Sequence, residues 1–131
     1  CPRRAVAQLL CMELLVIDDS PSFRHVVLQT LLEAGYNAVG AASPDEGLQL
    51  LAGRKFNLVL CDWNMPGLTG LELIKQVKGA DGPNRFTPFL IVTTERDESK
   101  KSQARSAGAS AWLVKPFEMS TLVNAVQKLL G

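Results

Sequence analysis

Short, uninterrupted apolar runs constrain this chain more than any other feature. LLVI at residues 14–17, LVLC at 58–61 and FLIV at 89–92 contain no charged side chain. A strand with one solvated face alternates apolar and polar residues. Unbroken runs belong to strands covered on both faces, as in a parallel sheet packed between helices. Weaker runs at 38–41 and 111–114 fit the same role.

Helix signals fill the intervals. Ser20-Pro21 places a capping hydroxyl before a proline at the first helical position. Val26, Val27, Leu31 and Leu32 then keep one helical face apolar until Gly35 stops it. Ser43-Pro44 repeats the signal, with Asp45 and Glu46 in the first turn where the helix dipole favours acid, and Gly53 ends that helix. A third helix is predicted over about 69–78, carrying Leu71, Leu73, Ile74 and Val77. Residues 79–88 are polar and turn-rich and predict a loop, long for its kind. A weakly amphipathic helix is predicted over 98–107, closed by Gly108. Ser120 is predicted to cap a last helix bearing Leu122, Val123, Val126, Leu129 and Leu130. Strand and helix thus alternate five times. That order predicts an α/β fold, a parallel sheet with helices on both faces and right-handed crossovers.

The 131 residues suit one domain with one core. We assign residues 12–131 to it. Residues 1–11 (CPRRAVAQLLC) fit the pattern poorly and are taken as an N-terminal extension, linker or cloning remnant, with Met12 as a natural start. A formal net charge of +1 argues against direct nucleic-acid binding. No apolar run is long enough to cross a membrane. Cys1, Cys11 and Cys61 have neither metal-ligand nor redox spacing. Free thiols point to a reducing compartment, hence the cytoplasm.

In such sheets function collects at the carboxyl ends of the strands. There the chain places Asp18-Asp19, Asp62, Thr93-Thr94-Glu95 and Lys115-Pro116-Phe117. Singly, each has an ordinary reading as turn residue, strand former or surface charge. Jointly, Asp18, Asp19 and Asp62 bring three carboxylates, Thr93 a hydroxyl and Lys115 an ammonium to one edge. Clustered carboxylates repel unless a cation intervenes. Oxygen donors with no nearby His or Cys pair indicate a hard divalent ion, Mg²⁺ or Mn²⁺. Metal and Lys115 would neutralise a tetrahedral anion, Thr93 would orient one of its oxygens, and a carboxylate could attack in line. No Gly-rich phosphate loop and no Ser/His/Asp arrangement competes with this reading. His25, the one histidine, lies on the first helix away from this edge.

Asp18-Asp19, the stretch DWNMPGLTG at 62–70, Thr93 and Lys115-Pro116-Phe117 resemble the receiver domain of two-component response regulators, the stand-alone chemotaxis receiver above all. The likeness runs over residues 12–131. It implies a flavodoxin-like (βα)5 sandwich with strand order 2-1-3-4-5, of which chemotaxis receivers are themselves a standard instance. It implies Asp62 as phosphoacceptor nucleophile, Asp18 and Asp19 as the acidic pair holding Mg²⁺, and the Asn64 backbone carbonyl as a further ligand. It implies Lys115 as the family's cation, Thr93 as the switch hydroxyl and Trp112 as the aromatic switch, where Tyr or Phe is usual. Thr94 stands where the family has a small residue. Asn64 and Glu95 flank the site as in receivers that lose their phosphoryl group quickly.

The implied role is a signalling phosphoacceptor, not an enzyme in its own right, which assists its own phosphorylation and dephosphorylation. Its partners would be a sensor histidine kinase or histidine phosphotransfer protein and a downstream target or output domain. Two alternatives stay open. The segment could belong to a multidomain transcriptional regulator or hybrid kinase. It could be an aspartyl-phosphate phosphatase, but Asn64 stands where such enzymes carry a second Asp, and there is no cap domain.

Overall fold

A computed structural model describes residues 12–130. The assignment of residues 1–11 as an extension lies outside the described residues. Five strands alternate with five helices: β1 (Glu13–Ile17), α1 (Pro21–Glu33), β2 (Asn37–Ala41), α2 (Pro44–Gly53), β3 (Leu58–Cys61), α3 (Gly70–Gly79), β4 (Phe89–Thr93), α4 (Glu98–Ala107), β5 (Ala109–Val114) and α5 (Met119–Leu130). The sheet is parallel throughout, in the order β2-β1-β3-β4-β5. The expected flavodoxin-like arrangement is therefore present.

The apolar runs work as two interleaved sets, because successive strand side chains point to opposite faces. Leu15, Ile17, Val59, Cys61, Phe89 and Ile91 meet Leu51 of α2, Leu73, Ile74 and Val77 of α3, and Ala104 of α4. Leu14, Val16, Leu58, Leu60, Leu90 and Val92 meet Val27 and Leu31 of α1 and Leu122 and Val126 of α5. Fully burying one such side chain contributes about 1.5–3 kcal/mol. The central strands β1, β3 and β4 hold most of that burial, which is why their sequences are the most apolar.

Local chemistry starts the helices largely as expected. Ser20, Ser43, Thr69 and Asp97 accept N-cap hydrogen bonds, and Thr69 forms a reciprocal capping box with Glu72. Two expectations need correction. β5 begins at Ala109, two residues before the apolar signal, because its early residues pair along β4 with an irregularity between Phe89 and Leu90. The helix α5 begins at Met119, so Ser120 lies inside its first turn. The Glu118 carbonyl accepts the N–H groups of Thr121 and Leu122, and the Ser120 hydroxyl lies 3.5 Å from the Glu118 carboxylate instead of capping.

The predicted loop before β4 holds an anchor that its polar composition concealed. Asn84 and Thr87 are buried. Asn84 accepts the Phe56 N–H at 2.7 Å and donates to the carbonyls of Leu51 and Arg54 at 2.6 and 2.7 Å. The Thr87 hydroxyl lies 2.9 Å from Asn84 Oδ1 and 3.1 Å from the Phe56 carbonyl. These bonds pin the loop across the amino edge of β3.

Candidate functional site

The site lies at the opposite, carboxyl edge. β1 delivers Asp18, β3 delivers Asp62, β4 ends in Thr93, and Lys115 follows β5. The turn after Asp62 is held on both sides. Asn64 N–H donates to Asp62 Oδ1 at 3.2 Å, and Gly70 N–H donates to the Trp63 carbonyl at 2.8 Å. A Cβ at Gly70 would stand 2.8 Å from the Asp62 carbonyl oxygen, so only glycine lets α3 start this close. Gly67 takes a φ of 92°, the left-handed region that glycine enters freely.

Ligand oxygens of Asp18, Asp19 and Asp62 all lie within 4.8 Å of one another. Asp18 is buried and Asp19 is exposed. Lys115 Nζ donates to Asp18 Oδ2 at 3.0 Å and to Asp62 Oδ2 at 3.4 Å. Asp18 Oδ1 accepts the Ser20 N–H at 2.9 Å. Arg24 spends its guanidinium on the Asp18 main-chain carbonyl, at 2.6 Å, not on a carboxylate. Three carboxylates therefore converge where a single ammonium pairs with two of them, an excess of negative charge in a partly dry cleft. An all-oxygen acidic set of this kind fits a hard divalent cation.

The field of the cluster is felt beneath it. Burial first, then the charges of Asp62 and Asp18, pushes the Cys61 thiol far above its ordinary value. Its S–H donates to the Asp62 carbonyl at 3.2 Å. Cys61 is thus a buried neutral thiol, in keeping with its place in an apolar run.

The remaining candidates surround the acids. The Thr93 hydroxyl is fully buried and accepts the Glu95 N–H at 3.2 Å. Its own proton finds no acceptor among the described residues. Trp112 does not reach the carboxylates. Its ring packs on Trp63 with centroids 5.2 Å apart, and its Nε1–H donates to the Glu95 carbonyl at 3.1 Å. Glu95 also pairs with Lys100 of α4 at 2.9 Å. Thr94 and His25 are exposed. The Lys115–Pro116 peptide bond is cis. The sequence pattern left Phe23 unmarked, yet its ring lies beneath Lys115, 3.9 Å from Nζ to centroid.

The model of the response regulator receiver domain matches residues 14–127, nearly the whole chain. The chain belongs to the response regulator receiver family. Chemotaxis protein CheY-3 of Vibrio cholerae is 35% identical over 121 residues, covering 90% of this receiver and 91% of the relative. Chemotaxis protein CheY of Pseudomonas aeruginosa is 32% identical over 121 residues, covering 90% and 95%. Among solved structures, the chemotaxis response regulator CheY4 of Vibrio cholerae superposes with a TM-score of 0.85 at 39% identity, covering 91% of this receiver and 98% of that chain. A putative response regulator from Chloroflexus aurantiacus gives 0.84 at 34%, covering 91% and 97%. Receivers work within two-component signalling systems. Among the described residues, no helix of this receiver is long and apolar enough to cross a membrane.

Proposed function

We propose that this receiver is a phosphoacceptor that takes a phosphoryl group from a phosphohistidine onto Asp62. The donor is a sensor histidine kinase or a histidine phosphotransfer protein. The observation that carries the reading is the Lys115 ammonium held between the carboxylates of Asp18 and Asp62 at the sheet's carboxyl edge.

An Asp62 oxygen forms the new O–P bond as the P–N bond of the donor breaks, and the imidazole leaves with the electron pair. Lys115 is close enough to turn toward a phosphoryl oxygen, and Thr93 has a proton to offer another. Asp18, Asp19, Asp62 and the Asn64 main-chain carbonyl would hold a magnesium or manganese ion, which would neutralise charge on the phosphoryl oxygens. The receiver has no separate substrate to turn over; it promotes its own loading and its own hydrolysis, and it acts in the cytoplasm.

Glu95 offers a route from the site to the surface. Its N–H is tied to Thr93, its carbonyl to Trp112 and its carboxylate to Lys100 of α4. Drawing Thr93 toward a phosphoryl group pulls on that residue, so the α4–β5–α5 face changes its packing for a downstream target or output domain.

The test is labelling with a small phosphodonor. The wild-type chain should take up label in Mg²⁺ and lose that capacity in excess EDTA, and Asp62→Asn should take up none while keeping its far-UV spectrum. Comparable labelling of the Asn variant would overturn the assignment.

A further inference from the structure

An ammonium has three N–H donors. Lys115 directs two sides of its ammonium at Asp18 and Asp62. The third side meets no oxygen among the described residues; it meets the face of Phe23, 3.9 Å from Nζ to the ring centroid. That is well inside the range of a cation–π contact.

The ring is itself fixed. Phe23 sits in the first turn of α1, its N–H bonded to Ser20 Oγ at 3.4 Å. Phe117 packs against it edge-on, with centroids 6.2 Å apart and planes at 87°. Phe23 also lines a cavity of about 10 Å³ beneath Asp18 and Asp62, whose other walls include Val16, Val27, Leu60 and Val92. One side of the site is therefore walled by apolar side chains.

We infer that Phe23 is a positioning residue whose ring holds the Lys115 ammonium over Asp62 and lets its N–H groups turn to an arriving phosphoryl oxygen. This rests on the phosphoacceptor reading above. A third carboxylate in place of the ring would grip the ammonium harder and compete with the phosphoryl group. An aliphatic side chain would leave a donor facing nothing. A ring attracts the charge without demanding one orientation of the N–H bonds.

The test uses the full chain as wild type, Phe23→Tyr and Phe23→Leu, with Phe23→Met as a second aliphatic variant should Leu fail to fold. The first readout is independent of phosphorylation. NMR of the chain carrying ¹³C-labelled lysine should place the Lys115 ε-methylene protons upfield of the other lysines. The shift should persist in the Tyr variant and vanish in the aliphatic one. The second readout is the rate of Asp62 labelling by acetyl phosphate with Mg²⁺. It should fall about fivefold in the aliphatic variant and stay within about twofold of wild type in Tyr. No upfield shift in wild type, or equal rates in all variants, overturns the inference and leaves the phosphoacceptor reading standing. Failure of the wild-type chain to label overturns both, whatever the NMR gives.

Discussion

Asn84 and Thr87 are buried at the amino edge of the sheet, and Asp18 and Thr93 at the carboxyl edge. The first pair closes on itself. Asn84 uses both its carbonyl oxygen and its amide nitrogen, on Phe56, Thr87, Leu51 and Arg54. Lys55 completes the network, its Nζ donating to the Thr87 hydroxyl at 3.0 Å, and Asn84 has nothing left over for a ligand. The second pair stays open. Asp18 shares one ammonium with Asp62, and Thr93 keeps an unused proton. Burying a polar group is costly unless it is bonded, so a closed network stabilises the fold. An open one forgoes stability and leaves groups free to meet a ligand. The difference separates a structural polar cluster from a chemical one within a single sheet.

Substitutions at the two edges should therefore differ in kind. Asn84→Ala strips partners from the buried Phe56 N–H and two carbonyls. It should cost about 3–5 kcal/mol, read as a lower urea midpoint, with labelling retained in whatever remains folded. A loss below about 1 kcal/mol would remove the amino edge's structural role. Thr87→Val keeps the shape and removes only the hydroxyl. It should cost about 1–2 kcal/mol in the same assay. Asp18→Asn should change stability by less than about 1 kcal/mol, since it removes one of three crowded carboxylates, while labelling slows by at least about tenfold. A large stability loss there, with labelling intact, would reverse the comparison.

Cys61 gives an effect confined to alkaline pH. Burial, then Asp62 and Asp18, raises its folded pKa, so the folded chain holds the thiol proton after the unfolded chain has released it. The stabilisation is whole below the ordinary thiol range. It is lost progressively as pH climbs from there toward the raised folded value. Stability of wild type should thus fall more steeply with alkaline pH than that of Cys61→Ala, measured by urea unfolding. Equal slopes would mean that the thiol is not held neutral by its surroundings.

Much of this was legible in the chain, and the exceptions share a cause. LVLC at 58–61 marked β3 to the residue because both its faces are covered. The edge strand β5 starts before its apolar run, because an edge strand tolerates the half-buried Ala109 and the exposed Ser110. Asp18, Asp62, Thr93 and Lys115 were visible because strand ends carry them all to one edge. Asn84, Thr87 and Phe23 were not. In the linear pattern Asn84 and Thr87 are ordinary loop residues and Phe23 an ordinary helix residue. What distinguishes each is a partner far along the chain, Phe56 for the loop and Lys115 for the ring. Ser120 misled for a local reason, since the Glu118 carbonyl opens the helix before its hydroxyl is needed.

The most direct test of the account is to locate the phosphoryl group chemically. The chain is loaded with acetyl phosphate and Mg²⁺, reduced with borohydride, which converts an acyl phosphate to the alcohol, and mapped by peptide mass spectrometry. Homoserine should appear at position 62, with Asp18 and Asp19 unaltered. Reduction at Asp18 or Asp19, or phosphate retained on a serine or threonine with Asp62 intact, would contradict it.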